Sequence, residues 1–335
     1  MTDLASRPTG WGGPIVTAPD LAEVEAAAER ISGVVVRTPL VPLHSGGEAA
    51  NILLKPEIFQ PIGSFKLRGV FNWAAALSAD ERQRGLSTIS SGNTAQALGY
   101  AGRHFGVSAR TLLLDTAPAG KIAALHGYGV ETVLVSSEEL MGYLLEARWQ
   151  QEPYSFISPI DNPYMITGNG TIGREIMADY PEVETVYAPV SGGNLIGGMG
   201  SVVKALRPSV RVVGVQPTAI SPLHASRQAG KPVWVDAQPT ICDGCGATLT
   251  FDEMYPLLSQ VVDDVVLVSE AAVKEAIRHL ALKNKLIVEG AGALSVAAAL
   301  ATPAEQRGRS VCVLSGGSID PSRLATILAD ESAAS

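Results

Sequence analysis

A chain of 335 residues with 46% hydrophobic and 17% charged residues is long enough for two domains or one large α/β unit, and it can bury a sizeable core. The net charge of −8, with no basic run, argues against nucleic-acid binding, and no apolar stretch reaches membrane-spanning length. Three cysteines, and an N-terminus without the features of a secretory signal, predict a reducing, cytoplasmic location.

The predicted elements alternate between strands and helices. Residues 1–18, rich in Gly, Pro and Thr, are expected to form a loose arm, and Asp20 with Glu23 has the pattern of a capping box that opens a helix ending at Gly33. Such alternation is typical of parallel sheets joined by crossover helices. The predicted strands are 87–90, 110–114, 131–135, 185–188, 212–215, 265–268 and 311–314, and helices are expected at 93–105, up to 127, at 138–150, and after residues 194, 269 and 321.

Lys66 is the first candidate for chemistry because its segment lets the backbone approach a ligand. Residues 61–69 read PIGSFKLRG, with a glycine on each side of Lys66 and an aromatic ring at Phe65. A lysine that is held in one place and partly desolvated can attack an aldehyde. Taken alone, the segment is equally typical of a surface lysine after a turn, and Phe65 of core packing.

Two further segments place small and hydroxyl residues between a predicted strand and a predicted helix. Backbone N–H groups at a helix N-terminus suit an anion, so the first segment is a candidate carboxylate site and the second a candidate phosphate site. Each is also typical of an ordinary helix cap or a tight bend. The first consists of Ser90, Ser91, Gly92, Asn93 and Thr94, and the second of Ser191, Gly192, Gly193, Asn194 and Leu195.

Three shorter features are ambiguous by themselves. Glu289 precedes small residues at a helix start, where a carboxylate complements the helix dipole, and Ser315 follows a buried strand as a turn residue. Gly244 lies within a C-x-x-C sequence at residues 242–245, a pattern of redox and zinc sites. No second Cys or His pair with ligand spacing accompanies it, so we favour structural thiols.

Together these segments resemble, in the same order, the motifs of the serine/threonine dehydratase branch of the fold type II pyridoxal 5′-phosphate (PLP) enzymes. The resemblance covers residues 30–325. It implies an α/β fold like that of the tryptophan synthase β subunit, with two parallel-sheet domains and PLP in the cleft between them. The implied large domain comprises residues 1–81 and 160–335, and the small domain residues 82–159. A homodimer is implied as well.

The resemblance also implies a role for each candidate residue. Lys66 would carry PLP on its amine and move the α-proton of an amino-acid substrate, and Ser91 would be a second acid/base on the opposite face. The implied substrate-binding residues, which grip the carboxylate, are Ser90, Ser91, Gly92, Asn93 and Thr94. The implied cofactor-binding residues are Phe65, Lys66, Asn93, Ser191, Gly192, Gly193, Asn194, Leu195, Gly244, Glu289 and Ser315.

The implied position of Ser315, against the pyridine nitrogen, indicates the type of reaction. A hydroxyl does not keep that nitrogen protonated, so the ring is a weaker electron sink. Elimination of a β-leaving group needs less of a sink than transamination does. We therefore expect an ammonia-lyase (dehydratase) that converts a β-hydroxy-α-amino acid to a 2-oxo acid and ammonia.

Other reactions on the same scaffold stay open. Thr94 stands where dehydratases usually have His and is more like cysteine and threonine synthases, which supports β-replacement, whereas Ser91 supports racemisation. From Thr94 we expect a substrate other than, or larger than, serine. A catalytically silent PLP-binding or regulatory protein is the alternative from another class, and the intact Lys66 argues against it.

We expect no metal site. Many serine racemases resemble this chain at residues 215–217 but have Glu where it has Gln216, and an acidic residue where it has Pro222. A hard cation needs anionic oxygens, and neither position supplies one.

Overall fold

The computed structural model describes residues 7–44 and 51–330, and this part of the chain contains ten β-strands and fourteen α-helices. The strands are β1 Val41–Pro42, β2 Ile52–Pro56, β3 Leu86–Ile89, β4 Ala109–Leu114, β5 Val130–Val135, β6 Ser155–Phe156, β7 Thr185–Pro189, β8 Arg211–Pro217, β9 Asp264–Val268 and β10 Ser310–Leu314. The helices are α1 Leu21–Ile31, α2 Lys66–Ala76, α3 Ala79–Gln83, α4 Asn93–Phe105, α5 Ala119–Gly127, α6 Ser137–Leu145, α7 Pro163–Asp179, α8 Asn194–Leu206, α9 Pro222–Ala229, α10 Tyr255–Val261, α11 Glu270–His279, α12 Gly290–Ala301, α13 Ala304–Arg307 and α14 Pro321–Ala329.

Six strands form the larger sheet, in the order β1-β2-β10-β7-β8-β9. β1 pairs antiparallel with β2, and the other pairings are parallel. The central strands β7, β8 and β10 are buried almost throughout and rich in valine, as expected for a parallel sheet that helices cover on both faces. Their carboxyl ends therefore meet at one edge of the sheet.

Four parallel strands form the smaller sheet, in the order β5-β4-β3-β6. All four lie within residues 82–159, the range predicted for the small domain. Helix α2 precedes this range, yet its Leu67, Val70 and Phe71 pack in the same hydrophobic cluster as Leu86 of β3. Two α/β layers with parallel sheets agree with the predicted fold class, while the residue limits of the two domains stay a prediction.

Helix ends that depend on local hydrogen bonds lie where the sequence predicts them. Asp20 and Glu23 form the capping box of α1, with Glu23 N–H donating to Asp20 Oδ1 at 2.7 Å and Asp20 N–H donating to Glu23 Oε2 at 2.9 Å. Ser269 caps α11 by accepting from Ala272 N–H at 3.3 Å. Such caps are encoded within four residues, so they can be identified without the fold.

Two local predictions are wrong. No single helix spans 138–150, because α6 ends at Leu145 and Ala147, with a left-handed φ of 48°, separates it from a 3-10 turn at Arg148–Gln151. Of the arm expected to be loose, residues 7–18 lack helix and strand but are held in place, since Trp11 N–H donates to Glu253 Oε1 at 2.9 Å, 242 positions away. Residues 1–6 of that arm lie outside the described residues.

Helix α7 packs between α2 and α8 at very short distance. A Cβ at Gly168 of α7 would lie 2.6 Å from the carbonyl oxygen of Arg68 in α2, and a Cβ at Gly198 of α8 would lie 2.1 Å from a backbone oxygen of α7. A side chain fits at neither position, so the three backbones are in direct contact. Because Lys66 begins α2 and Asn194 begins α8, this packing fixes the two residues relative to each other.

Candidate active site

A cavity of about 880 Å³ opens at the carboxyl ends of β3, β7 and β10, with walls from both sheets. Each of these strands is followed within two residues by a predicted site segment, and this edge is where α/β proteins place their ligands. The cavity brings together every residue that the sequence predicted for the site: Phe65, Lys66, Ser90, Ser91, Gly92, Asn93, Thr94, Ser191, Gly192, Gly193, Asn194, Leu195, Gly244, Glu289 and Ser315.

The backbone just before Lys66 is tied at two points to the turn after β10. Phe65 N–H donates to the carbonyl oxygen of Ser315 at 3.0 Å, and Gly317 N–H donates to that of Gly63 at 2.9 Å. These two hydrogen bonds join segments about 250 residues apart in the chain, so Lys66 and Ser315 are fixed at the same wall of the cavity. The Lys66 amine lies 5.0 Å from the centre of the Phe65 ring.

Burial makes the Lys66 amine easier to deprotonate than an ordinary lysine. Desolvation by the cavity wall lowers the pKa of Lys66 to about 8, although negative charge on Cys245 or Glu289 acts in the opposite direction. A substantial neutral fraction is then present near neutral pH, and the neutral amine is the form that attacks an aldehyde or accepts a proton.

The first anion segment is held rigidly at the N-terminus of α4. Ser90 N–H donates to Thr111 Oγ1 at 3.0 Å, and the Thr111 hydroxyl donates back to the Ser90 carbonyl oxygen at 2.8 Å. Gly92 N–H donates to Ser90 Oγ at 3.2 Å. Thr94 is 4% exposed on the first turn of the helix, and it lines the cavity with a small neutral side chain.

Asn93 bridges two segments on the opposite wall. Its Nδ2 donates to Glu289 Oε1 at 3.0 Å, and its Oδ1 accepts from the Ser318 hydroxyl at 2.9 Å. An amide nitrogen carries two hydrogens, so one donor of Asn93 stays available beside the contact to Glu289. This leaves room for the predicted contact between Asn93 and a phenolic oxygen of the cofactor.

Glu289 is a buried carboxylate with a raised pKa. Burial raises the pKa of Glu289 to about 7, the charge of Asp243 adds to this rise, and the hydrogen bond from Asn93 opposes it. The residue sits tightly among glycines, since a Cβ at Gly316 would lie 2.5 Å from its Oε1 and one at Gly244 would lie 3.3 Å away. Gly244 and Gly316 are therefore needed to admit the Glu289 carboxyl group to this wall.

The second anion segment forms a cradle at the N-terminus of α8. Gly193 has a left-handed φ of 100°, and a Cβ there would lie 2.7 Å from Leu258 Cδ1. The N–H groups of the first helical turn have no partner within the helix, so they can converge on a phosphate. Ser191 Oγ accepts from Ala247 N–H at 3.2 Å, which fixes the side of the cradle.

The Asn194 side chain makes its hydrogen bonds to other parts of the protein and not to the phosphate cradle. Its Nδ2 donates to the carbonyl oxygen of Pro159 at 2.5 Å, and its Oδ1 accepts from Asn169 Nδ2 at 3.3 Å. Asn194 therefore offers the cradle its backbone N–H, and its amide ties the start of α8 to the segment that leads from the smaller sheet to α7. Sequence reasoning placed Asn194 at the site but did not predict this tie.

The groups that line the cavity fit the chemistry of PLP. An amine with a lowered pKa suits the aldehyde, the N–H groups of the first turn of α8 suit the phosphate, and Ser315, which lines the same cavity, suits a ring nitrogen. The N-terminus of α4 supplies a second set of N–H groups for a carboxylate.

An ion pair at the cavity was missed by sequence reasoning. Lys121 of α5 and Asp243 lie 2.8 Å apart, and both residues line the cavity from different layers. Lys121 lies in no recognisable motif, and although Asp243 is part of the C-x-x-C sequence, only the fold brings the two residues together. Lys121 is also a second lysine of this cavity, which makes it the internal comparison for Lys66.

The C-x-x-C sequence lies beside the cavity as buried free thiols. Cys242 is 0% and Cys245 3% exposed, and burial raises the pKa of both thiols above the ordinary value. Among residues 7–44 and 51–330, no group of three His, Cys, Asp or Glu residues could hold a metal ion. Gln216, at the position considered for a cation, has Oε1 3.0 Å from the His224 N–H that donates to it.

Comparison with known proteins identifies relatives over nearly the whole chain. The family model described as pyridoxal-phosphate dependent enzyme matches residues 31–316. The L-threonine ammonia-lyase of Thermotoga maritima is 36% identical over 92% of this chain and 78% of its own length, and the catabolic L-threonine dehydratase TdcB of Escherichia coli K12 is 34% identical over 91% and 94%.

Solved structures show the same fold. Maize serine racemase superposes with a TM-score of 0.83 at 31% identity, covering 92% of this chain and 97% of its own. A threonine deaminase from T.th. superposes with a TM-score of 0.80 at 35% identity, covering 90% and 99%. The predicted fold type II class is thereby confirmed.

The chain belongs to the pyridoxal-phosphate dependent enzyme family, as the match over residues 31–316 establishes. Within that family it is a PLP-dependent lyase of the ammonia-lyase, or dehydratase, type. The predicted cofactor and the predicted type of enzyme are confirmed, whereas the role of each site residue stays a prediction.

Proposed function

We propose that this dehydratase acts on β-hydroxy-α-amino acids larger than serine, with threonine as the foremost substrate, and that the site residues have the roles predicted from the sequence. One observation carries the proposal: the Lys66 amine, with its lowered pKa, shares a cavity with two helix N-termini suited to anions. The names of the threonine ammonia-lyase and dehydratase relatives support the choice of substrate.

The chain's own residues bind and orient the substrate. PLP, when bound, supplies an aldehyde for the substrate amine and a ring that withdraws electrons from the α-carbon. The N–H groups and hydroxyls of residues 90–94 bind the carboxylate at the start of α4. Thr94, which lines the cavity, is smaller than the His that dehydratases usually have there, and this supports a substrate larger than serine.

Lys66 is the proposed base. Its neutral amine removes the proton at the α-carbon, and the electron pair of that C–H bond forms the Cα–Cβ double bond as the C–O bond to the β-hydroxyl breaks. The leaving hydroxyl takes up the proton from the Lys66 ammonium and departs as water, which returns Lys66 to its neutral form. Hydrolysis of the unsaturated amine then gives a 2-oxo acid and ammonia. Ser315 lines the cavity and would face the ring nitrogen of PLP, as the resemblance implies. A hydroxyl there would not keep that nitrogen protonated, which favours elimination.

A panel of β-hydroxy amino acids tests the proposed reaction. We expect serine, threonine, 3-hydroxyaspartate and phenylserine to differ, with threonine turned over faster than serine and with 2-oxo acid and ammonia formed in equal amounts. In a Thr94→His variant the preference should move toward serine by about tenfold, the size of one altered polar contact. Preference of the wild type for serine over every bulkier substrate would contradict the proposal.

Racemisation is the second candidate, and one observation favours it. Ser91 lines the same cavity as Lys66, which is the arrangement that a two-base reaction needs, and maize serine racemase shares the fold. The same panel separates the two reactions. Formation of the opposite enantiomer without ammonia would indicate a racemase, and formation of a new amino acid with an added nucleophile would indicate β-replacement.

We further propose that the enzyme is a cytoplasmic homodimer. The resemblance to the serine/threonine dehydratases supports the dimer, and light scattering after size-exclusion chromatography tests it. In the described part of the chain, each helix is too short or too polar to cross a membrane.

A further inference from the structure

Four buried ionisable side chains lie behind the turn that carries Lys66. Lys55, Glu57 and Arg68 are 0% exposed, and Glu175 is 6% exposed. The two cations and two carboxylates form what we call the buried ion cluster. Its members come from β2, from the short turn after β2, from α2 and from α7.

Arg68 is the centre of the buried ion cluster. It grips Glu57 with two hydrogen bonds, Nε to Oε2 at 2.7 Å and Nη2 to Oε1 at 2.8 Å. It grips Glu175 with two more, Nη1 to Oε1 at 2.7 Å and Nη2 to Oε2 at 2.9 Å. A planar guanidinium between two carboxylates has little freedom to move, because each fork fixes both distance and orientation.

Further hydrogen bonds satisfy other polar atoms of the buried ion cluster. Lys55 Nζ donates to Glu175 Oε2 at 2.5 Å, and the Thr38 hydroxyl donates to Glu57 Oε1 at 2.8 Å. Arg68 Nη1 also donates to Thr171 Oγ1 at 3.0 Å. Replacing a buried ion group by apolar residues is often neutral or stabilising, so stability alone does not account for four buried charges.

The cluster acts on the turn that holds the reactive amine. Lys66 and Arg68 are two positions apart in the first turn of α2, and at 3.6 residues per turn they project on nearly opposite sides of the helix. Lys66 faces the cavity, while Arg68 faces away into the protein. The residue before α2, Phe65, provides no side-chain cap, so the Arg68 contacts act on this helix start together with the backbone hydrogen bonds of Gly63 and Phe65.

We propose that Arg68 is a positioning residue for Lys66, and that its clamp between Glu57 and Glu175 holds the Lys66 amine where it can reach a PLP aldehyde. The inference rests on the proposed role of Lys66 in carrying PLP. On this proposal the buried ion cluster assists the capture of the cofactor by Lys66, although no member of the cluster lines the cavity.

The test compares covalent capture of PLP with its non-covalent binding. PLP is added to apo-protein, borohydride is added after timed intervals, and the amount of cofactor fixed on Lys66 is measured by peptide mass mapping. Pyridoxamine 5′-phosphate, which has an amine in place of the aldehyde, reports on the rest of the site because it needs no lysine. Arg68→Lys keeps the charge and loses the fork.

For Arg68→Lys we expect capture on Lys66 to slow about tenfold or more, as for a reacting group that is misplaced by a fraction of an ångström. Binding of pyridoxamine 5′-phosphate should change less than about twofold, and kcat should fall more than KM changes. Arg110→Lys is the matched control, since Arg110 pairs with Glu152 in the smaller sheet away from the cavity. It should leave the capture rate unchanged.

The outcomes separate the two proposals. If wild-type protein is not modified on Lys66, the proposed role of Lys66 fails. If wild type is modified and Arg68→Lys captures PLP at the same rate, the positioning role of Arg68 is overturned. It is also overturned if Arg68→Lys weakens the binding of PLP and of pyridoxamine 5′-phosphate equally. Should Arg68→Lys not fold, Glu57→Gln removes the charge from one of the two carboxylates that hold Arg68, and unchanged capture in that variant overturns the inference.

Discussion

At the scale of the residue, the reactivity of Lys66 depends on burial. Desolvation lowers the pKa of Lys66 to about 8 from its ordinary 10.5, and the nearby acidic groups work against this change. Between pH 8 and 10.5, Lys66 is therefore mostly protonated in the unfolded chain and mostly neutral in the folded protein. The destabilisation caused by burying this amine decreases as the pH rises through that window.

We predict that Lys66 of the apo-protein titrates near pH 8. Labelling by a small amine-reactive reagent should rise steeply as the pH increases through about 8, because only the neutral amine reacts. Mass mapping of Lys66 peptides against pH measures this, with the exposed Lys274 in the same digest as reference. Labelling that rises only near the ordinary lysine value of about 10.5 would contradict the role of desolvation.

Several site residues could be predicted from the sequence because local chemistry encodes them. Lys66, Asn93 and Ser315 each follow a strand or begin a helix, and small residues that admit a ligand surround them. Lys121 and Arg68 could not be assigned a role, since their contacts with Asp243 and Glu175 join segments more than 100 positions apart. Such contacts depend on the packing of helices and on no nearby motif.

At the scale of the element, the start of α8 depends on a backbone that only glycine adopts easily. Gly193 has φ 100°, and an added Cβ would meet Leu258 Cδ1 at 2.7 Å. Gly106 also has a positive φ, 67°, but nothing lies within 4 Å of an added Cβ, and it ends α4 away from the cavity. Comparing a substitution at Gly193 with the same substitution at Gly106 therefore distinguishes an effect on cofactor binding from an effect of backbone strain.

We predict that Gly193→Ala weakens PLP binding and that Gly106→Ala does not. Both variants should lose about 1–3 kcal/mol of unfolding free energy from the left-handed backbone, and Gly193→Ala should lose more because its Cβ also meets Leu258. Only Gly193→Ala should raise the Kd of PLP, because the cradle N–H groups move with the strained residue. Denaturant unfolding of the apo-proteins and PLP titration measure the two effects, and an unaltered Kd in Gly193→Ala would count against the cradle.

Element boundaries differ in how far the sequence encodes them. The capping box at Asp20 and the cap at Ser269 are local and were predicted. The break at Ala147 was not, because neither Gly nor Pro marks the place where the α6 helix gives way to a 3-10 turn. Just after this break, Trp149 stacks on Phe156 with ring centres 4.9 Å apart. The helical periodicity of the sequence gives no sign of this contact.

At the scale of the whole molecule, polar contacts between side chains join the α/β layers across the cavity. Asn93 of α4 contacts Glu289 before α12, and Lys121 of α5 contacts Asp243. The alternation of strands and helices was enough to predict parallel sheets, and the family resemblance implied that there are two. It could not give the strand order β1-β2-β10-β7-β8-β9, because this order depends on which crossover covers which face.

We predict that the Lys121–Asp243 pair contributes weakly to holding the layers together. Lys121→Met, Asp243→Asn and the double variant form a double-mutant cycle on kcat/KM. Both side chains are about two-fifths exposed, so the coupling should be about 0–1 kcal/mol at low salt and should vanish at about 1 M salt, where charges are screened. A coupling of several kcal/mol that persists at high salt would show that the pair has a catalytic role instead.

The central claim is that Lys66 carries PLP in this cavity, and its most direct test is to locate the cofactor chemically. Borohydride reduction of the holoenzyme, followed by proteolysis and mass spectrometry, should place the reduced cofactor on the Lys66 peptide. Lys121 lines the same cavity and provides the internal comparison. The account predicts modification of Lys66 with Lys121 unmodified. Cofactor fixed on Lys121, or on a lysine outside the cavity, with Lys66 unmodified would contradict it.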